Sequence, residues 1–267
     1  MRRIYWKNTQ RRSKNKTPAQ GPALEAIRAG LRCLNHILNH ILNHHAMKEP
    51  GLMFFDTETT GLTTTGPLHR RDYLVQLGWV TTSPGGRVRE KRSAIIKPDG
   101  WTIPTRAAKV HGITTEHATA HGIPLEEALA PFAEALEDCT TIIAHNMAFD
   151  FHVLEAAFAR AAMLNPLWYK EQFCTMEEGT EFCDIWTEAS LYHGNPKWPT
   201  LEELHLEACG KGFDGAHNAL NDVLATRRVD FSKKFRAWRE DKDRAEATRA
   251  AELYHNYITA EIKTTTK

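Results

Sequence analysis

The stretch FFDTETTG, residues 54–61, contains two carboxylates, Asp56 and Glu58, directly after an apolar run. Side chains alternate faces along a β-strand, so residues at i and i+2 point to the same side. Two like charges so close repel each other, and burial raises that cost further. A cation between the carboxylates relieves the repulsion, and hard divalent ions such as Mg²⁺ favour carboxylate oxygens. A pair of acids facing solvent at a strand end is the alternative interpretation.

Two further acids and a histidine favour the metal interpretation. Asp150 ends AHNMAFD (144–150), after a short apolar run, and Asp222 ends GAHNALND (215–222), in which His217 precedes it. A central sheet can gather acids at strand ends and helix starts into one cleft. Four acids and one imidazole suit two-metal phosphodiester cleavage, in which two ions about 3.5–4 Å apart bind the attacking water and the leaving oxygen. A histidine then accepts the proton of the water.

Hydrophobic patterning predicts the elements that must position these residues. Three successive strands are predicted over 52–57, 72–82 and 88–98, and the Ser83–Gly86 turn signal indicates an antiparallel meander. Two more strands are predicted over 141–146 and 173–176. Helices are predicted over 104–110, 124–138, 147–163, from the capping box at Thr200 to Ala208, and in one or two pieces from Ala216 to Ile262. The expected fold is α/β, with a five-stranded mixed sheet flanked by helices.

Three ordered motifs resemble those of the DEDDh, or DnaQ-like, 3′–5′ exonucleases, a group that includes the proofreading epsilon subunit of bacterial DNA polymerase III and ribonuclease T. They are FFDTETTGL (54–62), AHNMAFDFHVL (144–154) and GAHNALNDVLAT (215–226). KVHGIT (109–114) is similar to a family segment between the first two motifs. The resemblance covers about residues 52–231 and implies a ribonuclease H-like fold.

The resemblance also implies a role for each matching residue. The sister subgroup has a tyrosine four residues before the last acid, where this sequence has Asn218, so the general base is expected to be His217. Two divalent ions, Mg²⁺ or Mn²⁺, are expected on the four acids, Asp56, Glu58, Asp150 and Asp222. Substrate contacts are expected from Thr59, Gly61, Leu62, His111 and Asn146. Among these, Leu62 would wedge beside the terminal base, Asn146 would help hold the phosphate region, and His111 would line the entrance.

The activity that the resemblance implies is release of nucleoside 5′-monophosphates from single-stranded 3′ ends, in proofreading or repair. The motifs favour DNA over RNA. An RNA 3′-end trimming exoribonuclease is the alternative, because DNA and RNA members share the motifs and differ in how they treat the 2′-OH. A module that keeps the fold only to dock on a polymerase is a second alternative. Its signature would be a lost ligand, and none of the expected ligands is missing. A polymerase or replication partner is compatible with the long C-terminal helix.

Charge divides the chain unevenly. The first 34 residues hold nine Lys and Arg against one acid, and the remainder is net acidic by seven charges. An acidic globular part argues against a broad cationic surface that binds nucleic acid. It is compatible with a nucleic-acid enzyme whose cleft is neutralised by metal ions. The sequence predicts a basic, low-complexity, disordered extension over 1–46, an exonuclease domain over 47–232, and a charged C-terminal helix and tail over 233–267.

The remaining sequence features favour a cytoplasmic protein. His36, His40 and His44 have metal-ligand spacing, but no carboxylate or cysteine completes a site, so a low-complexity tail is favoured. The five cysteines are scattered and form no CxxC pair, as in proteins with reduced thiols. No apolar run reaches the ~18 residues of a membrane span, and the N-terminus lacks a signal-peptide pattern.

Overall fold

A five-stranded mixed sheet forms the centre of the structure, a computed structural model that describes residues 49–265, with side chains as far as Tyr254. The strand order is β3-β2-β1-β4-β5. The strands are β1 (Gly51–Thr59), β2 (Leu74–Thr82), β3 (Val88–Ile95), β4 (Cys139–Ala144) and β5 (Glu171–Cys174). The first three form the predicted antiparallel meander, and β4 and β5 run parallel to β1. The predicted α/β fold is confirmed, whereas the predicted extension and its histidines lie outside the described residues.

The described residues contain nine α-helices, together with two 3-10 turns at Leu68–Arg70 and Pro166–Tyr169. The α-helices are α1 (Thr105–His111), α2 (Thr115–His121), α3 (Leu125–Glu137), α4 (Met147–Arg160), α5 (Thr175–Cys183), α6 (Glu188–His193), α7 (Leu201–Cys209), α8 (Ala219–Asp230) and α9 (Lys233–Thr265). No helix is predicted for α2, α5 and α6, which are short and lack a clear period. The strand predicted over 173–176 lies two residues earlier, at Glu171–Cys174, and Thr175 and Met176 begin α5. Across residues 49–265, no helix combines the length and the apolar character that crossing a membrane requires.

The helix predicted from Ala216 begins three residues later and is in two pieces. Gly215 and His217 have φ angles of 74° and 64°, in the left-handed region that a helix does not use, so the chain forms a loop before α8. The helical path is interrupted again at Phe231 and Ser232, before α9. The start of α9 packs on the domain, because Phe235 is fully buried in a cluster with Leu204, Ala208 and Val229 of α7 and α8.

The alternating side chains of β1 pack into two separate hydrophobic clusters, one on each face of the sheet. Met53 and Phe55 belong to the large cluster that includes Phe132 of α3 and Leu154 of α4. Phe54 instead packs in a cluster with Val223 of α8. Asp56 and Glu58 continue the alternation of Phe54, and they therefore share the face of the sheet that α8 covers.

A close approach of α8 to β2 fixes where that helix begins. Gly78 pairs with Asp56 in the strand register, and a Cβ atom at Gly78 would lie 2.7 Å from the backbone carbonyl carbon of Ala219. The Gln76 side chain accepts a hydrogen bond from the Ala219 N–H at 3.2 Å. The first turn of α8, which carries Asp222, is thereby held beside the end of β1.

Substitution Gly78→Ala is expected to lower the free energy of unfolding by about 1–3 kcal/mol, because the new methyl group meets helix backbone, which moves less easily than a side chain. Urea unfolding followed by circular dichroism measures the change. Gly212→Ala is the matched control, since a Cβ atom there has no neighbour within 4 Å. Equal unfolding midpoints for the two variants would contradict the close approach.

Candidate active site

Three carboxylates converge at the carboxyl end of β1. Asp56 and Glu58 of that strand and Asp222 of α8 each offer an oxygen, and these oxygens lie within 4.8 Å of one another. Among the described residues this is the one group of three or more His, Cys, Asp or Glu side chains with such geometry. Oδ1 of Asp222 is buried without a hydrogen-bond partner in the part of the chain that the structure describes. A buried, unpartnered carboxylate oxygen is costly unless a cation meets it, so the residues fit a divalent metal ion.

The fourth predicted acid, Asp150, approaches from the opposite face of the sheet. It lies in the first turn of α4 and is 2% exposed. Its Oδ1 accepts two hydrogen bonds from Thr57, one from the backbone N–H at 2.9 Å and one from the hydroxyl at 2.6 Å. Because Thr57 lies between Asp56 and Glu58, this contact anchors Asp150 beside them. The motifs do not point to Thr57, although the alternation of β1 does place its side chain on the face of α4.

Burial raises the pKa of all four carboxyl groups. For Asp56 the shift is large, and repulsion from Asp150, Asp222 and Glu58 adds to it. Burial, together with the charges of Asp222 and Asp150, raises the pKa of Glu58 to about 8. The pKa of Asp150 rises to about 7 and that of Asp222 to about 6, in each case against hydrogen bonds that lower it. Without a metal ion, the cluster therefore retains protons near neutral pH.

The loop before α8 brings His217 to the cluster. Its backbone N–H donates to Oδ2 of Asp222 at 2.9 Å, which places the two predicted partners in direct contact. Asn221 fastens the other side of the loop, because its side-chain amide donates to the Gly215 carbonyl at 3.0 Å. Asn218 caps the start of α8, because its side chain accepts a hydrogen bond from the Asn221 N–H. The side chain of His217 is exposed to solvent and accessible to a substrate.

His111 reaches the same end of the sheet from α1. Its Nδ1 accepts a hydrogen bond from the Ile113 N–H at 3.1 Å, and its Nε2 is buried. Burial lowers the pKa of His111. A hydrogen bond with the Thr59 backbone raises this pKa, and the charge of the nearby His217 lowers it. The end of α1 therefore borders both β1 and the loop that carries His217.

The segment after β1 is folded tightly around Asp72. The hydroxyl of Thr59 donates to the Gly61 carbonyl at 2.5 Å, and the hydroxyl of Thr60 donates to Oδ1 of Asp72 at 2.8 Å. A Cβ atom at Gly61 would lie 2.6 Å from Oδ2 of Asp72, so a larger residue there would displace that carboxylate. Leu62 follows with 79% of its surface exposed. The motifs contain no signal for Asp72, which lies in sequence well beyond the segment that it holds.

Asn146 and His145 shape the turn between β4 and α4. Asn146 precedes the helix with a left-handed φ of 77°, and its side chain forms no capping hydrogen bond. The two ring nitrogens of His145 lie 3.1 Å from the Thr175 hydroxyl and 3.1 Å from the Pro199 carbonyl. Burial lowers the pKa of His145 to about 4, so its ring is neutral near pH 7. His145 thereby ties β4 to the starts of α5 and α7.

The structure thus brings the five predicted catalytic residues together and places the five predicted substrate residues on segments that meet the same edge of the sheet. This arrangement defines an acidic, metal-binding type of site. A family model described as "Exonuclease" matches residues 53–229, a range that includes all four acids and His217. The chain belongs to this exonuclease family, as the DnaQ-like motifs predicted.

Two known proteins that are similar to this chain carry the names of nucleases. Over 132 residues, 49% of this chain, it is 30% identical to the "Putative bifunctional exonuclease/endonuclease protein" of Mycobacterium tuberculosis (strain CDC 1551 / Oshkosh), and it covers 20% of that protein. Crystal structures of exonuclease I from E. coli share the fold. The zinc-bound complex with single-stranded DNA gives a TM-score of 0.55 at 22% identity, covering 71% of this chain and 41% of the other.

A complex of the same enzyme with a dT13 oligonucleotide gives a TM-score of 0.55 at 22% identity, covering 68% of this chain and 40% of the other. At these identities the likeness concerns the fold alone, and it agrees with the predicted ribonuclease H-like architecture. The chain spans a fifth of the mycobacterial relative and about two fifths of the E. coli enzyme.

The metal-free protein is expected to lose stability as pH rises from 5 to 8. The unfolded carboxyl groups have pKa values of about 3.9 to 4.3, and the folded ones titrate higher, so the folded state binds more protons over this range and the free energy of unfolding falls. A decrease in Tm of at least about 5 °C is expected, because one pKa unit corresponds to about 1.4 kcal/mol and a domain of this size shifts by about 2–4 °C per kcal/mol.

Differential scanning calorimetry in EDTA measures this decrease. Asp56→Asn removes one of the repelling charges, so it should raise the Tm at pH 8 and flatten the profile. Added Mg²⁺ should raise the Tm of the wild type more at pH 8 than at pH 5, since deprotonated carboxylates bind it. A Tm that increases with pH in EDTA would contradict the raised pKa values.

Substitution Thr57→Val keeps the shape of the side chain and removes the hydroxyl that holds Asp150. Mn²⁺ binding measured by isothermal titration calorimetry should weaken by about 10-fold, the usual lower cost of losing a group that orients a metal ligand. Thr57→Ser retains the donor and should bind nearly as tightly as the wild type. Equal affinities for the valine and serine variants would show that this hydrogen bond does not orient Asp150.

Proposed function

We propose that this protein is a metal-dependent 3′–5′ exonuclease that releases nucleoside 5′-monophosphates from single-stranded ends, with DNA favoured over RNA. The observation that carries the proposal is the convergence of three carboxylate oxygens within 4.8 Å, with Asp150 anchored beside them and His217 in contact with Asp222. The chain also belongs to the exonuclease family. The remaining support comes from the loops around the acids, which leave polar and apolar side chains accessible to a strand end.

The four acids would hold two divalent ions, Mg²⁺ or Mn²⁺, at the carboxyl end of β1. When bound, such ions stabilise the charge that develops on the phosphoryl oxygens and lower the pKa of water. Asp222 offers its unpartnered Oδ1 for this purpose. Asp150 is kept in orientation by the two hydrogen bonds from Thr57, so the chain supplies a preorganised set of oxygens.

His217 would take the proton of the attacking water. Imidazole is the side chain best suited to proton transfer in the physiological pH range. The backbone of His217 is fixed by its bond to Asp222, while its ring is exposed, so the base is positioned by the same acid that would hold a metal ion. Proton acceptance and metal binding are in this way coupled through one short loop.

The terminal nucleotide would lie against the segment from Thr59 to Leu62. The exposed Leu62 side chain would provide an apolar surface for the base, and Asn146, whose side chain forms no capping hydrogen bond, would provide a polar contact. The buried His111 would line the entrance. DNA is favoured because exonuclease I of E. coli, which has this fold, has been crystallised with dT13 and dA16 strands. An RNA-trimming exoribonuclease remains the second candidate, because the same acids would serve RNA.

Three broader expectations belong to the same proposal. They are a catalytic domain over 47–232 followed by a helical tail over 233–267, a cytoplasmic location, and a polymerase or other replication partner. The packing of Phe235 ties the first turns of α9 to the domain, which leaves the later turns for a partner. Co-purification with a polymerase would support that partner, whereas full activity of an isolated monomer would argue against a need for it.

Purified protein is expected to shorten 5′-labelled single-stranded DNA from its 3′ end in Mg²⁺ or Mn²⁺, and to leave it intact in EDTA. His217→Ala should lower kcat by about 10²–10⁴-fold, the usual contribution of a general base, and Asp56→Ala should abolish hydrolysis because a metal ligand is lost. Rates come from gel ladders, and circular dichroism checks that each variant is folded.

Asp99→Ala, which removes an exposed acid of a loop, is the matched control and should retain the wild-type rate. An Asp56→Ala variant with an unchanged rate would reject the assignment. An RNA strand of the same sequence is assayed in parallel to show which sugar the enzyme prefers. If the RNA is hydrolysed faster than the DNA, RNA is the preferred substrate. A folded wild-type protein that binds both strands and hydrolyses neither would favour the docking-module alternative.

A further inference from the structure

The exposed side of α1 carries two cations that the proposed chemistry does not use. Arg106 and Lys109 are three residues apart and therefore share one face of this helix, which we call the α1 face. Both side chains are exposed, and neither forms an ion pair or a side-chain hydrogen bond with another residue of the described part of the chain. The sequence of α1, TRAAKVH, contains no acid that could neutralise them locally.

The position of α1 connects this charge to the cleft. The helix ends at His111, which borders Thr59 and His217. Lys109 is two residues before His111 and Arg106 is five, which at a rise of about 1.5 Å per residue corresponds to about 3 and 8 Å along the helix axis. The two cations therefore lie within about 8 Å, along the axis, of the helix end that borders the cleft, on the exposed side of the helix.

The start of α7, which His145 ties to β4, carries charge of the opposite sign. Glu202 lies in the first turn of α7 and is exposed to solvent. Burial raises the pKa of Asp222, and the negative charge of Glu202 raises it further. Its neighbour Glu203 is already paired with Lys197 at 2.6 Å. A polyanionic strand that enters the cleft is thus repelled along α7 and attracted along α1.

We infer that the α1 face binds the phosphates on the 5′ side of the terminal nucleotide and so guides a single strand into the cleft. This inference rests on the proposed function and adds the path of the strand to it. The partner chemistry is a flexible polyphosphate backbone, since two exposed cations without fixed hydrogen bonds recognise charge and not base sequence. Longer strands should therefore bind better than the shortest substrate, with equal gain for every sequence.

The test compares the double variant Arg106→Ala/Lys109→Ala with the wild type on a 12-nucleotide strand and on a dinucleotide. The measured quantity is the ratio of kcat/KM for the 12-mer to kcat/KM for the dinucleotide. We expect this ratio to fall by about 10-fold, equally for dT12 and dA12, because phosphate contacts contribute without regard to sequence. The slope of log kcat/KM against log salt concentration for the 12-mer should become shallower by about 0.7 for each phosphate that the variant no longer binds.

The control variant is Arg87→Ala/Lys91→Ala. It removes the same number of charges from exposed residues that are unpaired within the described chain, Arg87 in the β2–β3 turn and Lys91 on the edge strand β3. Its ratio and its salt dependence should equal those of the wild type. An unchanged ratio in the α1 variant, or an equal decrease in both double variants, would overturn the inference.

A binding measurement separates this inference from the proposed activity. Fluorescence anisotropy of a labelled dT12 strand with Mg²⁺, in the His217→Ala background, should show about 10-fold weaker binding when the α1 face is also substituted. If the wild type hydrolyses neither substrate while this difference in binding persists, the proposed activity fails and the strand path stands. Equal affinities with and without the α1 cations would reject the path itself.

Discussion

Repulsion among four clustered carboxylates, two buried and two half-buried, is the constraint on which the rest of the site depends. Asp56, Glu58, Asp150 and Asp222 can share one small volume only because two helices and a central strand leave them little room to separate. The strand β1 has hydrogen-bonded neighbours on both sides, and its apolar residues pack into a core on each face. The packing free energy of the sheet therefore offsets an electrostatic strain that an isolated loop could not sustain.

Sequence patterns predict most of this arrangement because its main elements are long and periodic. The meander, α3 and α4 each repeat a pattern of buried residues, and the motif residues lie at the ends of those elements. Their spacing therefore predicts that the acids meet at one edge of the sheet. The short helices α2, α5 and α6 give no such signal, since their position depends on caps and on contacts with distant segments.

Contacts that orient the site are the part that sequence patterns do not reveal. The hydroxyl of Thr57 meets Asp150 across 93 residues of sequence, and the ring of His145 meets Pro199 across 54. Each contact is created by the tertiary fold, so the sequence around Thr57 or His145 contains no pattern that predicts it. The start of α8 illustrates the same limit, because an apparently helical sequence from Ala216 is diverted into a loop by two residues with positive φ. That diversion is what brings His217 to Asp222.

The turn around Asp72 has a consequence for the thermodynamics of substrate binding. A flexible loop that carried Leu62 would have to become ordered each time a strand end arrived, and the lost conformational entropy would weaken affinity. Here the bonds between Asp72 and the loop, and the close fit at Gly61, restrict the chain before any ligand is present. The entropy is lost during folding, so an exposed leucine can meet each new terminal base from an unchanged position.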